Sequence, residues 1–73
     1  MPYYMTQRMS SEGLPTVRYY RKADKQPGSS KAERAAFTAA AAAKYAAMNG
    51  TDVAAVKMEK VQVMLKPDSG EEI

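Results

Sequence analysis

Arginine, lysine and tyrosine are the side chains of this sequence that could do chemistry, and what they can do is bind. The candidate partner-binding residues are Tyr4, Arg8, Arg18, Tyr20, Arg21, Lys22, Lys25, Lys60 and Lys66. Arginine offers planar, multiply donating contacts to a carboxylate or phosphate, and tyrosine offers stacking area at small entropic cost. Histidine and cysteine are absent. The common catalytic dyads and triads therefore cannot be assembled, and zinc lacks its preferred nitrogen and sulfur ligands. The expectation is a protein that is not an enzyme and has no metal site and no cofactor.

Those side chains need elements to place them. Tyr3 to Met9 reads as a strand, with Pro2 ahead of it, and Ser10 to Gly13 as a turn cluster from which Leu14 and Pro15 lead out. Thr16 to Ala23 is a second strand, alternating Val17 and Tyr19 with Arg18, Tyr20 and Lys22. Pro27 and Gly28 make Asp24 to Gly28 a loop. Ser30-Lys31-Ala32-Glu33 is a capping box: the Ser30 hydroxyl can accept from the Glu33 amide while the carboxylate reaches back to the amide of Ser30. A helix runs from there to about Met48 and stops at Asn49-Gly50, residues that readily take the left-handed conformation.

At 100° per residue, Phe37, Ala40, Ala41, Met48 and, at the margin, Tyr45 share the side expected to face the core, with Ala35, Ala39, Ala42 and Ala46 opposite. Lys44 falls within the inward group, so it must snorkel or mark a rotation of the helix. Thr51 to Val56 is open between a short helical turn and an approach to a strand. Met58 to Lys66 is a third strand, in which Val61, Val63 and Leu65 alternate with polar neighbours, and Pro67 ends it.

These elements give an α+β domain over residues 1–66, in the order β-β-α-β. Its sheet would be three-stranded and antiparallel, ordered 2-1-3, with the helix on one face. Residues 67–73 would form an acidic, flexible C-terminal tail. Val17, Tyr19, Val61, Val63 and Leu65, beside Tyr3 and Met5, would point at the helix. The uncovered face would carry Tyr4, Thr6, Arg8, Arg18, Tyr20, Lys22, Lys60, Gln62, Met64 and Lys66. Changing Arg18, Tyr20 or Lys22 to Ala would then weaken binding with little effect on folding.

Composition limits stability as well as function. Of 73 residues, 13 are alanine and only 9 are Ile, Leu, Val or Phe, below the roughly 20% at which disorder becomes an alternative. Five tyrosines and six methionines add packing surface. Residues 1–66 hold 11 basic and 5 acidic groups, so a body of charge +6 precedes a tail bearing Asp68, Glu71 and Glu72. Such a body attracts polyanions with a strength that falls as salt rises. The first residues lack the basic-then-apolar order of a signal peptide, and no apolar run is long enough to span a membrane.

Two partner classes fit the cationic face. One is an acidic protein surface, with arginine and tyrosine as anchors. The other is single-stranded nucleic acid stacked on the tyrosines, although they do not form an RNP-type box. In size, in element order from Tyr3 to Lys66 and in lacking catalytic residues, the chain resembles the small phage-encoded regulators of host RNA polymerase, of the initiation-inhibitor or antitermination type. That resemblance implies a protein of the bacterial cytoplasm, monomeric when free, that binds RNA polymerase and alters initiation or termination without chemistry of its own. It assigns no role to an individual residue. An inhibitor of some other host enzyme is a third possibility.

Overall fold

Strands β1 (Tyr4–Ser11) and β2 (Leu14–Lys22) form an antiparallel hairpin in this computed structural model, which describes residues 2–23 and 30–73. The turn is tighter than its composition suggests. Ser10 and Ser11 belong to β1 and Leu14 to β2, leaving Glu12 and Gly13 between the strands. Gly13 takes the left-handed conformation at φ 76° while Glu12 does not, the arrangement of a turn that closes through a glycine bulge. The pairing slips by one residue between Met9 and Ser11, where Met9 faces Val17 and Ser11 faces Leu14.

Helix α1 (Lys31–Asn49) begins and ends where its caps predict. The Ser30 hydroxyl accepts from the Glu33 amide at 3.1 Å and lies 3.3 Å from the Glu33 carboxylate. At the other end Gly50 takes the left-handed conformation and donates to the Ala46 carbonyl. The expected loop Asp24 to Gly28, with Lys25, lies outside the described residues.

The buried side of α1 differs from the wheel drawn from sequence. Phe37, Ala41, Ala42, Tyr45 and Ala46 are buried, while Met48 is 64% exposed. Ala42 and Ala46, expected outside, are thus core residues, and Met48, expected inside, is not. The cause is that two aromatic rings set the rotation. Phe37 and Tyr45 are both fully buried, and Tyr45 also donates its hydroxyl to the Pro15 carbonyl at 2.8 Å. Alanines beside them let the helix lie close to the sheet. Lys44 turns to the margin, where its ammonium donates to the Glu72 carbonyl at 3.2 Å and sits 6.0 Å from the Tyr19 ring.

After α1, Val53–Ala55 makes a single 3₁₀ turn, the helical alternative for that segment, and Val56 is buried behind it. The expected third strand is broken in two. β3 (Lys57–Met58) pairs with Ser10 and Met9, and β4 (Gln62–Met64) pairs with Thr6, Met5 and Tyr4. Both lie on the edge of β1 away from β2, so the third segment does neighbour the first. Glu59, Lys60 and Val61 stand opposite only Gln7 and Arg8. This one-residue excess is a bulge. Leu65, expected in the core, is 47% exposed because β4 ends before it.

Nor do the final residues form the expected free tail. β5 (Glu71–Glu72) pairs parallel with Tyr19 and Tyr20, the Ile73 amide donates to the Tyr20 carbonyl at 2.9 Å, and Ile73 packs on the core. The sheet is therefore mixed and five-stranded, ordered β3-β1-β2-β5 with β4 also on β1, and not a purely antiparallel three-stranded one. Met5, Met9, Tyr19, Phe37, Tyr45 and Val56 with three alanines form the core beneath α1. Gln7 is buried among them and fully engaged. It accepts from the Thr38 hydroxyl at 2.7 Å and donates to the Glu59 carbonyl at 2.8 Å, tying helix to bulge through one side chain.

Candidate docking face

Side chains directly opposite in an antiparallel pair share a face. The register pairs Tyr4 with Lys22, Thr6 with Tyr20 and Arg8 with Arg18, and on the other side Tyr4 with Met64 and Thr6 with Gln62. Met5, Gln7, Met9 and Tyr19 alternate with them and are buried. Eight of the side chains expected together, Tyr4, Thr6, Arg8, Arg18, Tyr20, Lys22, Gln62 and Met64, are therefore on the side away from α1.

The two arginines give this face its character. Like charges placed directly opposite repel, and each guanidinium has a partner. Arg18 Nη1 donates to the Thr6 hydroxyl at 2.8 Å, and Arg8 Nε lies 3.4 Å from the Glu59 carboxylate. The second contact joins two side chains that are 48% and 59% exposed, and so adds little stability. Around them lies a recess of about 110 Å³ lined by Arg8, Arg18, Glu59, Lys60 and Gln62. Three cations face one carboxylate there. Lys60 arrives through the bulge, which re-aims the chain beside β1. A carboxylate or phosphate oxygen entering this recess would meet guanidinium and ammonium donors from three segments.

Tyr4 and Tyr20 also meet on this face, but edge to face, with centroids 5.6 Å apart and planes at 80°. Rings so arranged pack on each other instead of presenting two parallel platforms.

Two candidates lie elsewhere. Arg21 faces Met5 across the hairpin and places its guanidinium 5.6 Å from the Phe37 ring, so it belongs to the helix side. The alternation of β2 already assigns it there, since it is two residues from Tyr19. Lys66 is exposed beyond the last paired residue of β4, and no strand pairing holds it on the face.

The face is also less open than the sequence suggests. β4 and β5 flank opposite edges of the hairpin, so residues 65–70 must pass from one edge to the other. Ser69 lies with Arg8, Thr16 and Arg18 around a second hollow of about 310 Å³, which places the crossing over this face. Gly70, at φ 123°, approaches so closely that a β-carbon would fall 2.5 Å from the Arg18 carbonyl oxygen. Thr6 is completely buried although it points away from α1. Glu59, Thr16 and Ser69 are the lining residues that sequence reasoning missed. Glu59 enters through the bulge, which no local pattern announces, and Ser69 through the docking of β5.

Among the described residues, no group of three acidic side chains could hold a metal ion, and no helix is long and apolar enough to cross a membrane. Comparison with protein-family models, curated proteins and solved structures finds no match.

Proposed function

We propose that this chain is a small non-enzymatic binding module that docks its cationic sheet face on a carboxylate-rich protein surface. The observation that carries this reading is the convergence of Arg8, Arg18 and Lys60 around one small recess against the single carboxylate of Glu59. A recess of that size suits a protruding carboxylate, and paired arginines hold such a group by short, charge-assisted hydrogen bonds. Bacterial RNA polymerase is the partner to test first, on the resemblance to small phage regulators of that enzyme read from the size of the chain and its lack of catalytic residue types. Binding there would inhibit initiation or alter termination by occlusion, with no chemistry supplied by the module.

Direct binding of single-stranded nucleic acid is the second reading, favoured by the tyrosines beside the cations. The edge-to-face packing of Tyr4 and Tyr20 disfavours it, since consecutive bases stack on exposed ring faces. Titrating the protein with purified bacterial RNA polymerase, and separately with labelled single-stranded oligonucleotides at two salt concentrations, tests both. Saturable polymerase binding that a charge-matched control protein lacks supports the first reading. Tight, steeply salt-dependent oligonucleotide binding without polymerase binding replaces it by the second.

A further inference from the structure

The cationic recess continues into the larger hollow beside the crossing segment, because Arg8 and Arg18 line both. Lys60 and Gln62 border the arginine pair on one side. Thr16 and Ser69 border it on the other, each with a hydroxyl. These groups come from separate stretches of chain: β1, β2, the bulge with β4, and the crossing that leads into β5. The sheet sets their placement. Thr16 is two residues from Arg18 on β2 and so shares its face, while the close approach of Gly70 to the Arg18 carbonyl holds Ser69 over that face. The charged groups of the joined hollows are three cations and the carboxylate of Glu59, which leaves them at +2.

We infer that the joined hollows bind a phosphorylated side chain of a partner protein. The inference rests on the reading of this face as a docking face and narrows what the partner presents there. A carboxylate offers two oxygens in one plane, which the small recess alone would satisfy. Here donors stand on both sides of the arginine pair, so a tetrahedral phosphoryl group can use both sides at once. Donors remain on each guanidinium, since Arg18 is committed through one nitrogen to Thr6 and Arg8 through one to Glu59. Near neutral pH a phosphomonoester carries a charge of about −1.5 to −2. That charge matches the cationic excess and relieves repulsion between Arg8 and Arg18, which lie directly opposite each other. A nucleic acid also brings phosphate, but neither hollow is lined by an aromatic ring on which a base could stack.

The probes are capped peptides alike except at one central residue, which is phosphoserine, glutamate or serine. Amide shifts of the full chain are followed during titration at about pH 7.5 and about pH 5.5, on either side of the second phosphoryl ionisation near ~6. The chain has no histidine, and the glutamate peptide meets the same Arg8, Arg18, Lys60 and Glu59, so it reports any titration of the protein itself. The expected result is saturable shifts at Arg8, Thr16, Arg18 and Ser69, with phosphoserine bound about tenfold or more tightly than glutamate at the higher pH. That preference should shrink severalfold at the lower pH. Thr16→Val combined with Ser69→Ala, both at exposed positions, should weaken the phosphoserine peptide severalfold and leave the glutamate peptide unchanged. Lys31→Ala, which removes a cation exposed on α1, should change neither. Equal affinity for phosphoserine and glutamate, a double variant as tight as the wild type, shifts centred away from Arg8 and Arg18, or tighter binding of an oligonucleotide with a terminal phosphate would each overturn the proposal. Polymerase binding is scored separately. A chain that binds polymerase without preferring phosphoserine loses this inference alone, and a phosphoserine preference without polymerase binding removes the polymerase assignment alone.

Discussion

Arg18 reaches across the hairpin to donate to the Thr6 hydroxyl at 2.8 Å, and Thr6 has no exposed surface at all. One guanidinium thus lines the cationic recess and satisfies a buried hydroxyl. Removing it strips Thr6 of that donor, which costs about 1–3 kcal/mol for a buried polar group. Arg18→Ala is therefore expected to lower the urea midpoint with an unchanged slope. Sequence alternation alone makes the change harmless, because it sees only that Arg18 points away from the helix.

Arg8→Ala should behave differently. Its ion pair with Glu59 is exposed, worth at most about 1 kcal/mol, and its removal relieves repulsion from Arg18 directly opposite. Partner binding is expected to weaken while the urea midpoint moves little. A midpoint shift as large as that of Arg18→Ala would show that Arg8 is structural.

Gln7→Ala breaks the link between α1 and the bulge, leaving the Thr38 hydroxyl and the Glu59 carbonyl without their partner. Each orphaned group costs about 1–3 kcal/mol if water cannot reach it, in a domain whose total stability is of the order of 5–15 kcal/mol at best. Circular dichroism during thermal unfolding should show a large drop in midpoint, with Lys60 displaced from the recess in the variant that remains folded.

Tyr19 gives the fold an alkaline limit. Burial first, then the nearby Glu71 carboxylate and Tyr45, push its phenol above the ordinary value of 10.0. A neutral ring is favoured in the native state, so this contribution is complete below the unfolded pKa and is lost as pH rises through the raised native one. Stability should fall above pH ~10, and Glu71→Gln should move the Tyr19 step in tyrosinate absorbance toward lower pH. A Tyr19 titration unchanged by that substitution would place β5 elsewhere.

Gly70→Ala tests the crossing segment. The new methyl would meet the Arg18 carbonyl oxygen at 2.5 Å, and the backbone sits at φ 123°; an alanine there costs about 1–3 kcal/mol in strain. Faster hydrogen exchange of the Ile73 amide, with the β1–β2 amides still protected, is the expected signature.

Local signals carry much of this fold. The Ser30 hydroxyl cap on the Glu33 amide and the Asn49-Gly50 stop bound α1, and the alternation of Val17 through Lys22 assigns both faces of β2. What sequence does not carry is set by long-range partners. The rotation of α1 depends on where Phe37 and Tyr45 find space, so Ala42 and Ala46 are buried in place of Met48. The bulge at Glu59–Val61 depends on the register of β1, and it delivers Lys60 and Glu59 to the recess. β5 has only two paired residues, Glu71 and Glu72, with no strand-forming pattern, and it is held by backbone pairing and by Lys44.

The most direct test is the affinity of purified bacterial RNA polymerase for the wild-type chain and for an Arg8→Ala, Lys60→Ala double variant whose unfolding midpoint is unchanged. A loss of tenfold or more (~1.4 kcal/mol), shrinking as salt is raised, is the predicted result. Equal affinity of the two proteins, or no saturable binding by either, would contradict a cationic face that docks on this enzyme.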